Sequence, residues 1–211
     1  MKVFGCILAL VLAGVAHCDT PATPLPYVTS SREGRYFFRM MPRNGGTDQK
    51  HDGYGIAFRV QFDGSDREVW RTEGWFSFQV FLSDDGHSLV ALGPWGYGRE
   101  PKQDDLAVAF YYEGKLIREY STDELVDDHT AVLASTSHYF WLARDRLHFS
   151  DTSAGEHEPR FTRPDRFQLK TIDGITYIFR TETGEIVEKK KAAQPGATDN
   201  PDDAQRLRED H

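Results

Sequence analysis

Cysteine is almost missing from this chain: there are two, Cys6 and Cys18, in 211 residues. Both lie within the first 18 positions, so the remainder has no pair able to form a disulfide and must be held by packing. Also missing is an apolar run long enough to cross a bilayer. The one candidate, Val3 to Val15, falls short of the ~20 residues that a spanning helix needs. Basic charge is scarce, with 25 Lys and Arg against 33 Asp and Glu and a formal net charge of −8. Nucleic acid and anionic membrane surfaces are therefore poor partners, because both call for a clustered basic face.

The strong chemical motifs are absent too. The sequence has no Gly-x-Ser-x-Gly elbow, no phosphate-cradling Gly-Lys-Ser or Gly-Lys-Thr loop and no cysteine pair for zinc. His157-Glu158 begins like a zincin helix, but Pro159 interrupts it and no second His follows four residues later. We expect no cofactor and no metal.

What is present begins with a leader. Met1-Lys2, the apolar run, and the small residues Gly14 and Ala16 before polar Asp19 form the three parts of a signal peptide. We expect residues 1–18 to be that signal, with cleavage after Ala16 or after Cys18, and a periplasmic or extracellular mature protein without a transmembrane segment. The first cut leaves one thiol and the second leaves none. Lipid attachment at Cys18 is disfavoured by His17, which stands where that signal wants a small residue.

The rest suits one domain. Residues 19–26, with three prolines, read as an extended lead-in, and residues 27–189 as a single β domain. Residues 190–211 hold many Asp and no large apolar residue except Leu207. Such a composition cannot offset its ordering entropy, so we expect a disordered acidic tail.

Between the ends, aromatic and β-branched runs dominate: Arg35 to Met40, Ile56 to Gln61, Trp75 to Phe81 and Leu106 to Tyr111. Short glycine-bearing turns predict three hairpins: Ile56–Gln61 with Arg67–Arg71, Val108–Tyr112 with Leu116–Tyr120, and Thr176–Arg180 with Glu185–Val187. The one helix expected is a turn or two at Thr122–Val126, capped by Ser121 or Thr122.

A repeat emerges when the turns are aligned on glycine. Ser31-Arg32-Glu33-Gly34, Ser83-Asp84-Asp85-Gly86 and Thr171-Ile172-Asp173-Gly174 each precede a strand. A hydroxyl, an acid and a left-handed glycine suit a tight turn between antiparallel strands. This turn resembles the Ser-Pro-Asp-Gly turn of β-propeller blades. The stretch Phe110 to Val126, together with Ser137-His138-Tyr139-Phe140-Trp141, resembles a group of small exported bacterial proteins of unknown function. The resemblance brings no activity with it. It implies an all-β fold of antiparallel sheets, either an open stack of about three blade-like units, too few to close a propeller, or a two-sheet sandwich.

Four groups of residues are candidates for function. Gly93-Pro94-Trp95-Gly96-Tyr97-Gly98-Arg99-Glu100-Pro101-Lys102 reads as a loop, on which Trp95, Tyr97, Arg99 and Lys102 can form a platform for a glycan, peptide or protein. The alternative is a loop folded back so that Trp95 plugs the end of the sheet. His138 stands beside hydroxyls, and with a carboxylate from Asp84, Asp85 or Asp145 it would suit a small extracytoplasmic hydrolase. Its plainer role is structural, with the ring bonded to a backbone carbonyl; His148, between Leu147 and Phe149, reads the same way. The pair Asp84-Asp85 could offer oxygens to a hard cation, but reads more simply as a solvated turn. Asp127-Asp128-His129 reads as a polar helix terminus. The reading preferred from sequence is a non-enzymatic exported binding module, with the hydrolase as its rival.

Overall fold

The computed structural model describes residues 23–43, 52–94, 96–143 and 158–191. The expected leader, Trp95, Asp145, His148, His157 and residues 192–211 lie outside the described residues. In chain order the strands are β1 (Tyr27–Ser30), β2 (Tyr36–Pro42), β3 (Gly53–Val60), β4 (Asp66–Glu73), β5 (Val80–Leu82), β6 (Ser88–Leu92), β7 (Gly96–Tyr97), β8 (Leu106–Tyr112) and β9 (Lys115–Ser121). After the short helix α1 (Thr122–Leu125) come β10 (Leu133–Ala134), β11 (His138–Phe140), β12 (Arg160–Arg163), β13 (Arg166–Lys170), β14 (Ile175–Arg180) and β15 (Ile186–Lys191).

These form three four-stranded antiparallel sheets, β1-β2-β3-β4, β5-β6-β8-β9 and β12-β13-β14-β15, and a small sheet β10-β11-β7. The three predicted hairpins are β3–β4, β8–β9 and β14–β15. Side chains alternate across a strand, and in the middle sheet both sets are buried. Leu89, Ala91, Ala109 and Tyr111 pack with Phe38, Met40, Ala57 and Trp70 of the first sheet. Val90, Leu92, Val108 and Phe110 pack with Phe167, Leu169, Ile175, Tyr177 and Phe179 of the third. One sheet shared by two cores makes this an open stack of three layers.

The three sequence turns share their bonding. Gly34, Gly86 and Gly174 donate their N–H groups to Ser31, Ser83 and Thr171, with φ of +72°, +76° and +85°. Their places in the sheets differ. The first two join the first and second strands, and the third joins the second and third, because the signature specifies a turn and not a position in the sheet. The structural repeat is instead in the last strand of each sheet. β4, β9 and β15 each carry one extra residue, namely Val69, Ile117 and Val187, exposed by 39%, 37% and 40%.

The helix follows its sequence signal closely. Ser121 Oγ accepts the Glu124 N–H at 3.2 Å, and Glu124 accepts the Ser121 N–H at 2.7 Å, which is a capping box. Trp75 to Phe81 departs from expectation: the strand begins only at Val80. The Ser77 hydroxyl lies 2.9 Å from the Gln79 carbonyl and 2.6 Å from that of Leu92, holding the backbone before β5 out of the ladder.

At the other end β15 continues through Lys191 and takes in the first two residues of the expected tail. Lys189 Nζ donates to Asp127 at 2.8 Å and lies over the Tyr177 ring. A chain ending at Lys191 should therefore melt within about 2 °C of the full chain, since ~1 kcal/mol moves a domain of this size by about 2–4 °C. Ending at Glu185, which removes β15, should lower the midpoint by far more. Differential scanning calorimetry distinguishes the two.

Candidate functional site

The segment Gly93–Lys102 is seated by backbone contact at both ends. Gly93 donates its N–H to Ala107 O at 2.8 Å, and a Cβ at Gly93 would lie 1.6 Å from the Leu106 carbonyl oxygen. Only glycine permits this approach. Further on, Gly96 and Tyr97 form β7, paired with Tyr139 and His138 of β11, and Gly98 N–H reaches Ser137 O at 3.0 Å. Tyr97 thus sits half-buried on a short strand, where the sequence suggested a loop. Lys102 bends back, its Nζ donating to Tyr97 O at 2.9 Å, while Arg99 is exposed.

A buried polar network fastens this segment to α1. Tyr139 Oη donates to Asp105 at 2.8 Å and lies 2.6 Å from Thr122 Oγ1. Thr122 Oγ1 in turn accepts the Lys102 N–H at 3.2 Å. Burial pushes the Tyr139 hydroxyl well above the usual tyrosine range, so it stays a proton donor. On the far side, Ile172 N–H reaches Trp141 O at 2.8 Å, tying β11 to the third sheet.

His138 is buried beside this segment. Its Nδ1 lies 2.8 Å from Ser135 Oγ. Ser135 Oγ also accepts the N–H groups of Ser137 and His138, and Ser135 N–H bonds His138 O at 2.7 Å. The hydroxyl therefore organises the turn between β10 and β11. The His138 ring meets Phe140 edge-on at 4.7 Å.

Around these residues lies a cleft of 340 Å³, lined by Phe78, Gln79, Leu92, Gly93, Pro94, Gly96 and the run His138 to Leu142. The two neighbours of Trp95 in the chain, Pro94 and Gly96, are in its wall. Sequence reasoning reached the His138 and Gly93–Lys102 walls separately but missed Phe78, which it had placed in a strand. No local signal announced that Phe78, 38% exposed, lines the same cleft as β11.

Of the acids proposed to partner His138, Asp84 and Asp85 have other partners, and Asp145 lies outside the described residues. Asp84 is buried and bonded to Arg32 at 2.9 Å and to the Glu33 N–H at 3.0 Å, and it lines a different cleft. Asp85 accepts from the Ser83 hydroxyl and the His87 N–H. The Asp84 turn, read as solvated, instead staples the first repeat turn to the second. Asp173 does similar work for the third, accepting the N–H groups of Asp127 and Asp128. Asp128 caps the 3₁₀ turn His129–Ala131 through the Thr130 N–H. The Thr130 hydroxyl and N–H hold its carboxyl below the usual range. Among the described residues no group of three or more His, Cys, Asp or Glu converges as a metal site would. Comparison with known protein families and with curated proteins finds no match to this chain.

Proposed function

We propose that this protein is an exported, non-enzymatic binding module and that the cleft beside Gly93–Lys102 takes its ligand. The observation that carries the reading is the cleft itself, where aromatic side chains and His138 meet on three separate segments held by the Gly93 contact, the β7–β11 pairing and the Tyr139 network. Concave sites where aromatic walls and fixed polar groups converge are where ligands usually bind. Export rests on the leader-like first 18 residues. The likeness to small exported bacterial proteins with blade-like repeats agrees with this and supplies no ligand, which we take to be a peptide, a glycan or a segment of a protein.

The test is direct binding to peptide and glycan arrays, repeated with Phe78→Ala and Phe140→Ala. At least a tenfold loss for either variant, with unfolding midpoints little changed, is the expected result. Unchanged binding by both would remove the cleft as the site.

Trp95 and Tyr97 give an independent measurement. If they belong to the recognition surface, replacing both with Ala should weaken capture by more than about 1 kcal/mol and leave stability nearly unchanged. If they plug the sheet end, the pair should cost about 3 kcal/mol or more of folding stability. Denaturant unfolding beside the array measurement decides between them, and the second outcome sinks the platform.

A further inference from the structure

Buried polar groups are nearly always hydrogen-bonded, and one that is not calls for a physical account. Tyr27, Tyr120 and Tyr177 obey the rule by donating their hydroxyls to the Ser77, Gly184 and Leu125 carbonyls, and Tyr139 by donating to Asp105. Tyr111 does not. It is 6% exposed and its ring stacks on the Trp75 indole at 4.6 Å, yet its hydroxyl has no hydrogen-bond partner among the described residues. Burial, and after it the charge of Glu119, push this hydroxyl well above the usual tyrosine range, so it stays a proton donor.

Tyr111 lines a cleft of 510 Å³, a volume within the ~300–1,000 Å³ common to small-molecule sites. One wall comes from the first sheet, with Thr72 of β4 and Trp75 just beyond it, and the other from the middle sheet, with Tyr111 of β8 and Leu116 and Glu119 of β9. The indole is fixed, its N–H donating to Thr72 Oγ1 at 2.9 Å. Two of the charged groups in the lining are already engaged: Arg71 is bonded twice to Glu68 at 2.9 Å, and Glu73 is bonded to Arg43. Glu119 is exposed and has no ion pair among the described residues. The cleft therefore holds a donor without an acceptor and an acceptor without a donor, beside Trp75 and the 49% exposed Leu116.

We propose that this cleft binds a neutral sugar ring. A hydroxyl group both accepts and donates, so sugar hydroxyls accept from Tyr111 and donate to Glu119 while the C–H face of the ring covers Trp75 and Leu116. An ammonium group has donors only and would leave the Tyr111 O–H unpaired. A carboxylate or phosphate would accept from Tyr111 but meet the like charge of Glu119. This cleft shares no lining residue with the β7–β11 cleft, so the two sites are independent.

The test applies the full chain to an array of neutral, acidic and amine-bearing oligosaccharides, with lysine-rich peptides alongside, and titrates the neutral glycans retained. Tyr111→Phe removes one oxygen, and Glu119→Gln removes one charge at an exposed position. Each should weaken neutral-glycan binding at least tenfold, whereas the same glycans should bind Phe140→Ala, altered in the other cleft, unchanged. Tyr111→Phe should also melt at the parent temperature or above it, because a buried hydroxyl without a partner opposes folding. A lower midpoint would give that hydroxyl a partner in the fold and overturn the proposal. So would retention of no neutral glycan, retention of amine-bearing glycans or lysine-rich peptides in their place, or neutral-glycan binding that survives both Tyr111→Phe and Glu119→Gln. Glycans lost by Phe140→Ala and kept by Tyr111→Phe would belong to the β7–β11 cleft, which removes this site and leaves the proposed function standing.

Discussion

Replacing Phe110 with Ala should destabilise the protein by about 3–5 kcal/mol, the usual cost of removing a fully buried aromatic ring. Phe110 is completely inaccessible and sits in the middle sheet. Its ring lies 4.9 Å from Phe179 and 6.3 Å from both Phe167 and Tyr120, so no single neighbour can collapse into the space. The same change at Phe58, which is half-buried and stacked on Phe37 at 5.0 Å, should cost less than half as much. Because β6 and β8 serve both cores, the Phe110 variant should still unfold in one transition with an unchanged denaturant slope. Two separated transitions, or equal losses at Phe110 and Phe58, would contradict a shared middle layer.

The second large effect is expected at Gly93. An added Cβ meets the carbonyl oxygen of Leu106, a backbone atom in β8 that cannot rotate away as a side chain could. Relief requires breaking the Gly93 N–H bond to Ala107 and lifting the whole segment, so Gly93→Ala should cost about 3 kcal/mol, the upper part of the range for overpacking. The same variant should lose ligand at the β7–β11 cleft, whose wall it displaces. Gly34→Ala is the useful comparison. Space there is open, and only the positive φ opposes the side chain, at about 1–2 kcal/mol. A Gly93→Ala loss no larger than that of Gly34→Ala would show that the segment is not seated on β8.

How much of this was legible in the chain differs from one feature to the next. The hairpins could be read because a turn and its flanking strands lie within a few residues of one another: Glu113 and Gly114 both have positive φ, as a two-residue hairpin turn requires. The helix cap was legible for the same reason. The strand at Trp75–Gln79 was misread because its competitor is distant, the Leu92 carbonyl beside the Ser77 hydroxyl. The turn at Asp84 looked solvated because nothing near it in sequence reveals Arg32, which lies in the first sheet's turn. His138 and Tyr97 were each singled out, but their pairing across β11 and β7 joins positions some forty residues apart.

The all-β class, the positions of the tight turns and most strand limits follow from local alternation, glycine conformation and capping hydroxyls. Tertiary structure alone decided that the sheets stack three deep, that the middle one is buried on both faces, and that two clefts open where separate segments meet. The physical reason is range. Turn and strand preferences are paid within a handful of residues, whereas burial of a sheet face and the partner of a buried carboxylate depend on surfaces brought together from across the whole chain.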